Sequence, residues 1–289
     1  MLWITATWGA CFLAIRWGLR DAPVLWFAAL RALVAGVVLF GYAAVRRHPL
    51  TLPRRVWPTV AALTVTNATL AFAAMFAGVA GLTTGTAAVL ANAQPLLIVL
   101  PAWWLYHETV NTRIVIALVV GFTGLLVIAI PGGGGQGAAQ SLGAAAAITA
   151  GTLLARRLAG SDIVVVAAWH FLAGGILLAA WAAAAEGAPT IAWTPRFAGV
   201  LGFLAILGTA VAFVAWFAET QRASLTQLAA WTFLVPVFGI VLAAVVLGEQ
   251  PAGWTAASVA LVLVSLWFVI HPHMAQATLD RQGGSRSLP

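Results

Sequence analysis

The sequence contains no lysine, and only 7% of its 289 residues are charged. A soluble domain carries about 25% charged residues, and a surface that faces water cannot be built from so few. Hydrophobic residues make up 63% of the chain. This composition excludes an ordinary soluble protein and indicates that the lipid bilayer is the solvent for most of the chain.

The same scarcities exclude several kinds of chemistry. Without lysine the chain has no P-loop for ATP hydrolysis and no residue that forms a Schiff base. Cys11 is the single cysteine, so no intrachain disulfide forms, and its apolar neighbours favour a small core residue. His271 and His273 lack a third metal ligand nearby, and no nucleophile and base stand together. We therefore predict no cofactor, no metal site and no enzyme activity.

Long apolar runs separated by short polar loops fill most of the chain. A membrane-spanning helix needs about 20 mostly apolar residues. We predict an all-α polytopic membrane protein with ten spanning helices, at about 2–19, 23–45, 57–79, 83–106, 113–130, 139–157, 163–185, 197–220, 223–248 and 252–270. The polar residues 272–289 predict a disordered cytoplasmic tail.

The 14 arginines give an expected orientation. With the N-terminus inside, ten of them fall in inner loops and the tail and three fall outside. Cytoplasmic loops carry an excess of basic residues, so both termini are expected in the cytoplasm. The net charge of +7 is thereby explained by membrane orientation, and no nucleic-acid partner is expected.

Two parts of the chain repeat a pattern at an offset of 141. The matching pairs are Phe72 and Phe213, Phe76 and Phe217, Pro95 and Pro236, Glu108 and Glu249, and Arg16 and Arg157. We predict two copies of one five-helix unit, 1–130 and 139–271, joined by a glycine-rich linker at 131–138. Five is odd, so the second copy enters the membrane from the opposite side. Such inverted halves can open a shared midplane site to either side in turn.

Pro95 and Pro236 fall in the middle of the fourth and ninth predicted spans. Each removes a backbone donor and frees a carbonyl near the bilayer centre, which is tolerated in packed protein or beside a wet cavity. Asn92, Gln94, Gln227 and Trp231 lie close to them in sequence. Two interpretations stay open: these side chains line a cavity, or the prolines are packing kinks and the amides join helices.

Deep aromatic and charged residues carry similar alternatives. Aromatic rings well inside the spans can stack on a ligand or pack the core. Arg31 and His170 lie at similar depths in the second and seventh spans, where charge is costly. We expect them to bond carbonyls of neighbouring helices rather than a substrate. Glu108 and Glu249 end their helices, and we expect anchors between helices or loop caps rather than proton carriers.

The segment from Trp8 to Arg16 resembles the Trp-Gly-x-x-Phe-x-x-x-Lys/Arg opening of EamA-type members of the drug/metabolite transporter superfamily. Arg31 and its neighbours resemble their second-helix signature. The stretches from Ala91 to Glu108 and from Phe233 to Glu249 resemble their paired proline helices. The likeness covers about 1–271, although Trp-Gly is absent from the opening of the second half.

This resemblance implies ten helices in two inverted repeats and a central cavity lined by helices 1, 3, 4, 6, 8 and 9. It implies export or exchange of small metabolites such as amino acids. The candidate substrate-binding residues are Trp8, Asn67, Phe72, Asn92, Gln94, Trp216, Gln227 and Trp231. We expect a secondary transporter of the plasma (inner) membrane, monomeric or homodimeric, whose partners are the lipid bilayer and a small, neutral or zwitterionic metabolite. A non-transporting membrane scaffold or sensor stays open as the alternative.

Overall fold

The computed structural model describes residues 1–109, 112–129, 137–248 and 255–270. Within these ranges the chain is helical and forms no strand. We number its helices α1 to α10, and their bounds are Leu2–Gly18, Val24–Val45, Arg54–Gly81, Thr84–Tyr106, Thr112–Ala129, Ala138–Leu158, Ile163–Ala185, Pro195–Thr220, Leu225–Val246 and Thr255–Ile270.

Seven helices of the described ranges are long and apolar enough to cross a membrane, namely α2, α3, α4 and α6 to α9. The prediction of ten is not met by this criterion, because α1 has 17 residues and α10 has 16. The apolar stretch of α5 counted in this way is Thr112–Gly124. Sixteen or 17 residues rise roughly 25 Å, somewhat less than the hydrocarbon thickness of about 30 Å. The fold is that of a polytopic, all-α membrane protein.

Several helices begin at a side chain that caps their first backbone donors. Thr83 accepts from Thr86 at the start of α4, and Ser224 accepts from Gln227 at the start of α9. Asp162 accepts from two backbone N–H groups of α7. Such caps satisfy donors that have no partner inside the helix. Thr83 and Ser224 lie 141 residues apart (224 − 83), so the repeat extends to the way these helices start.

Glycine brings α2 and α7 into close contact. A Cβ atom on Gly36 would lie 2.6 Å from the backbone nitrogen of Leu172, and one on Gly175 would lie 2.7 Å from that of Leu33. No larger residue fits at either position without moving a helix. The two contacts are counterparts, because both members are shifted by 139 residues (175 − 36 and 172 − 33). The helices α5 and α10 also pair, as do α1 with α9 and α4 with α6.

Four helices are irregular near half of their length. α3 and α8 contain π-helical stretches, Thr64–Leu70 and Phe203–Val211. α4 is interrupted at 92–93, just before Pro95, and α9 has a 3₁₀ turn at Trp231–Phe233, just before Pro236. Stretches of π-helix are frequent at functional sites. These irregular segments surround the cavity described next.

Some predicted features lie outside the described residues. They are Glu249, most of the linker (131–136), the tail (272–289), and Asn111, a predicted cap of the fifth span. Thr112, the other predicted cap, is the first residue of α5.

Candidate functional site

A small buried cavity lies at the centre of the bundle. Its volume is about 50 Å³, and its walls come from both halves of the chain. The lining residues are Trp8, Cys11, Phe12, Arg31, Phe72, Met75, Ala91, Asn92, Gln94, Ile148, Phe213, Thr232 and Val235. A space of this size holds a few water molecules, so a metabolite the size of an amino acid enters only when the walls move apart.

Arg31 is buried in one wall of this cavity and is held by the π-helical stretch of α8. Its Nε donates to the hydroxyl of Thr209 at 2.8 Å, and its Nη2 donates to the carbonyl of Gly208 at 3.2 Å. The guanidinium carbon lies 4.4 Å from the ring centroid of Phe72, a cation–π distance. Nη1 is buried and has no hydrogen-bond partner among the described residues.

The backbone of α8 explains why it can accept these bonds. In a π-helical stretch the regular bonding of each carbonyl to the amide four residues on is interrupted. Trp8 also donates its indole N–H to the carbonyl of Gly208, at 3.2 Å. A Cβ on Gly208 would lie 2.5 Å from the Sγ of Cys11, so glycine permits the close approach of α1. Arg31 and Trp8 therefore meet at one carbonyl of the other half.

Aromatic rings form a continuous wall beside Arg31. The ring centroids of Trp8 and Phe213 are 5.4 Å apart, and those of Trp8 and Trp216 are 5.0 Å apart. Phe72 lies 6.3 Å from Phe213. These distances are typical of aromatic pairs. The wall gives the cavity an apolar surface next to the one charged group among its described lining residues.

Two amide side chains supply polar groups on the wall formed by α4. Asn92 donates to the carbonyl of Ala88 at 2.8 Å, and Gln94 donates to the hydroxyl of Thr152 at 2.7 Å. Trp216 donates its indole N–H to the same hydroxyl at 3.3 Å. Each amide uses its nitrogen in these bonds, and its oxygen is an acceptor.

The structure brings some of the predicted site residues together. Trp8, Phe72, Asn92 and Gln94 line the cavity, and Trp216 lies behind Trp8.

The other predicted residues lie elsewhere. Asn67 is buried between α3 and α6, against Gly151. Gln227 lies in the first turn of α9, and Trp231 packs against a cluster that includes Leu118 and Val262. The cavity face of α9 carries Thr232 and Val235 instead.

Arg31 is the cavity residue that sequence reasoning undervalued. A charge inside a spanning segment was its signal, and bonding to a neighbouring carbonyl was expected. That expectation is confirmed by the bond to Gly208. The sequence did not reveal that the remaining guanidinium nitrogen lies at a cavity, since this depends on the rotation of α2 against α8.

A second, larger cavity of about 930 Å³ lies between α3 and α6, beside one end of α2 and α7. Its walls are mainly alanine and glycine. Glu186 is one of its few polar residues, and its carboxylate accepts from the backbone of Leu25 and Trp26 at the start of α2. This cavity offers room but little polar chemistry, so the central cavity is the better candidate site.

Arginine clamps hold the loop between the third and fourth helix of each half, at opposite ends of the bundle. Arg16 donates to the carbonyl of Leu82 at one end. Arg156 donates to the carbonyls of Thr220 and Ala223, at 2.6 and 2.5 Å, at the other end. Leu82 and Ala223 are 141 residues apart (223 − 82), and Arg16 and Arg156 are 140 apart. The sequence repeat had matched Arg16 with Arg157 instead.

Glu108 joins the two halves at the end that holds Arg156. Its carboxylate accepts from the backbone N–H groups of Leu225 and Thr226, at 2.5 and 3.1 Å, and from the hydroxyl of Thr226 at 2.9 Å. The expected role of Glu108 as an anchor between helices is confirmed.

Comparison with known proteins agrees with this architecture. The model of the EamA-like transporter family matches residues 1–130 and 136–271. An uncharacterized transporter, YvbV of Bacillus subtilis, is 28% identical over 279 residues, which cover 92% of this chain and 91% of that protein. A probable amino-acid metabolite efflux pump of Salmonella typhimurium is 25% identical, with 98% and 97% covered. One solved crystal structure shares the fold, with a TM-score of 0.78 at 22% identity, and the match covers 96% of this chain and 97% of that one.

The apolar helical bundle and these relatives define a multi-pass membrane transporter. The family match covers nearly the whole chain, and the protein belongs to the EamA-like transporter family of the drug/metabolite transporter superfamily.

Proposed function

We propose that this protein is a secondary transporter that exports or exchanges a small metabolite, such as an amino acid, by alternating access. The observation that carries the proposal is the central cavity, which both halves line at the depth where four helices are irregular. Irregular backbone inside a membrane is tolerated where it is packed in protein or lines a cavity. Transporter sites typically lie at such broken helices between repeats.

The proposed architecture is ten transmembrane helices in two inverted five-helix repeats, 1–130 and 139–271. The two arginine clamps support it, because equivalent bonds occur at opposite ends of the bundle. The reciprocal glycine contacts of α2 and α7 support it as well. A pseudo-two-fold axis in the membrane plane relates such halves. The shorter helices α1, α5 and α10 would then span with locally thinned lipid or flanking polar residues.

Alternating access needs contacts between the halves that can break at one end at a time. At one end, Glu108 of the first half caps α9 of the second. At the other end, Asp21 of the first half forms a bidentate ion pair with Arg196 of the second, with N–O distances of 2.8 Å. With the cavity sealed from both ends by such contacts, the conformation described here corresponds to an occluded state.

Orientation and partners complete the proposal. The arginine distribution supports cytoplasmic N- and C-termini in the plasma (inner) membrane, which would place Glu108 on the cytoplasmic side. The proposed partners are the lipid bilayer and a small metabolite, with the protein acting as a monomer or homodimer. No reaction chemistry is proposed.

Counterflow in proteoliposomes tests the proposal. Purified protein is reconstituted with unlabelled amino acids inside, and uptake of the labelled compounds is measured against empty liposomes. We expect accelerated uptake of at least one solute, and acceleration of none across a broad panel would refute transport. Ala91→Leu fills the cavity wall and should abolish uptake, whereas Ala184→Leu, on an exposed position of α7, should leave uptake unchanged.

A further inference from the structure

We infer that the free Nη1 of Arg31 is the recognition point for a carboxylate, and that the solutes bound here are small carboxylates with apolar or aromatic side chains. The binding step stands on the cavity itself, while the word substrate rests on the transport function proposed above. Amines without an acid group, and neutral hydrophobic compounds, would bind poorly.

The geometry supplies the first part of this inference. Nε and Nη2 of Arg31 are engaged by Thr209 and Gly208, so the guanidinium is fixed in position. Nη1 is buried, lies on a residue that lines the cavity, and has no acceptor in the described part of the chain. A buried donor without an acceptor is unfavourable, and more so when it is charged. An anionic ligand would satisfy it through a charge-assisted hydrogen bond.

The charge balance of the cavity supplies the second part. Arg31 is the only charged side chain among its described lining residues, and no carboxylate in the described ranges forms a hydrogen bond or ion pair with it. Phe72 stabilises one face of the guanidinium but brings no negative charge. A positive site in an apolar, membrane-embedded cavity favours an anion over a cation.

The walls define the rest of the ligand. Trp8, Phe72 and Phe213 offer apolar and aromatic surface beside Arg31. The amide oxygens of Asn92 and Gln94 are acceptors that could receive a ligand ammonium group. An apolar α-amino acid presents these three features together, whereas its carboxamide keeps the side chain and the amine and loses the charge that Arg31 requires.

Acid and amide pairs test this directly. The full-length protein in detergent is titrated with L-phenylalanine, L-phenylalaninamide, L-leucine and L-leucinamide, and its melting temperature is followed, since a bound ligand raises apparent stability. We expect at least one acid to bind at least tenfold more tightly than its amide. The same compounds are then used as counterflow substrates.

Variants separate recognition from folding. Arg31→Gln should remove the preference for acids, while Arg20→Gln, at an exposed position, should retain it. Because Arg31→Gln also weakens the contact of α2 with α8, a second pair keeps Arg31 in place. The Sγ of Cys11 lies 4.0 Å from Nη2, so Cys11→Asp supplies an internal carboxylate and should abolish acid binding. Cys11→Asn has the same size without the charge and should keep acid binding.

The outcomes distinguish the two proposals. Amides that bind and move as well as acids would overturn the role of Arg31 and leave transport standing. Equal acid binding by the Cys11→Asp and Cys11→Asn proteins would overturn it too, as would the failure of every acid to bind the wild type. Acids that bind with the expected preference but are not transported would support the role of Arg31 and refute the transport function.

Discussion

Glu108 provides the sharpest link between this structure and the proposed transport cycle. Its carboxylate caps the start of α9 with two backbone bonds and one hydroxyl bond, and this contact joins the two halves at one end. The Glu108→Gln variant keeps the shape of the side chain, replaces one acceptor by a donor and removes the charge that favours a helix N-terminus. It should therefore weaken closure of that end in particular.

The expected size follows from the bonds that are lost. Hydrogen bonds to charged groups contribute about 1.5–3 kcal/mol each, but Glu108 is half-exposed and water replaces part of the loss. We therefore take about 2 kcal/mol for the whole contact. Since about 1.4 kcal/mol corresponds to a tenfold change in an equilibrium constant, the open state at this end should become roughly 30-fold more populated relative to the closed state.

Cysteine accessibility measures this shift. Cys11 is the only cysteine of the chain, so Cys11→Ala gives a background in which Asn92→Cys places one thiol at the cavity. An impermeant maleimide is applied to vesicles of either orientation. We expect Glu108→Gln to accelerate labelling by roughly 30-fold from the membrane side that Glu108 faces.

Glu186 provides a matched control. It also caps a helix of the other half, through the backbone N–H groups of Leu25 and Trp26 at 2.9 and 3.1 Å, but at the opposite end of the bundle. Glu186→Gln should lower the melting temperature to a similar extent without faster labelling from the Glu108 side. If Glu108→Gln lowers stability and leaves the labelling rate unchanged, the contact is an anchor and not part of a gate.

Three further predictions concern helix contacts. Gly36→Ala should lower the free energy of unfolding by about 1–3 kcal/mol, because the added Cβ meets the backbone of Leu172, whereas Gly41→Ala on the same helix meets nothing within 4 Å; thermal unfolding in detergent compares them, and an equal loss in both would contradict the packing. Gly208→Ala should displace Cys11 and the Arg31 clamp and reduce counterflow at least tenfold, with Gly202→Ala, which has open space, as the control; unchanged counterflow would show that this approach is not required. Asp162→Ala should cost about 1 kcal/mol of stability by removing the cap of α7, while Asp162→Asn should cost little, and equal losses would assign the effect to another contact, such as the bond of Asp162 to His48 at 2.5 Å.

Much of the helical framework was predictable from the sequence. The observed helices begin and end within about three residues of the predicted spans. Apolar runs and polar loops decide these limits, because each segment exchanges with lipid or water largely on its own. The repeat pointed to counterparts that the structure displays as paired contacts, such as Leu82 and Ala223 under the two arginine clamps. The number of helices that meet the length criterion was overestimated, because α1 and α10 are short.

The candidate site was only partly predictable. Depth in a span is readable from sequence, and it led to Trp8, Phe72, Asn92 and Gln94, which line the cavity. The face that a helix turns toward the centre is not readable when the helix is apolar all round. Successive residues of an α-helix point about 100° apart, so Thr232 lines the cavity while its neighbour Trp231 packs elsewhere.

Composition and periodicity alone determined that this chain is an all-helical membrane protein and that its halves are related. Those properties arise from local chemistry, since a lysine-free, apolar sequence has a favourable place only in lipid. The tertiary structure decided what Arg31 does. Its partners lie 177 and 178 residues away on α8, and only the packing of α2 against that π-helical stretch leaves one guanidinium nitrogen facing the cavity.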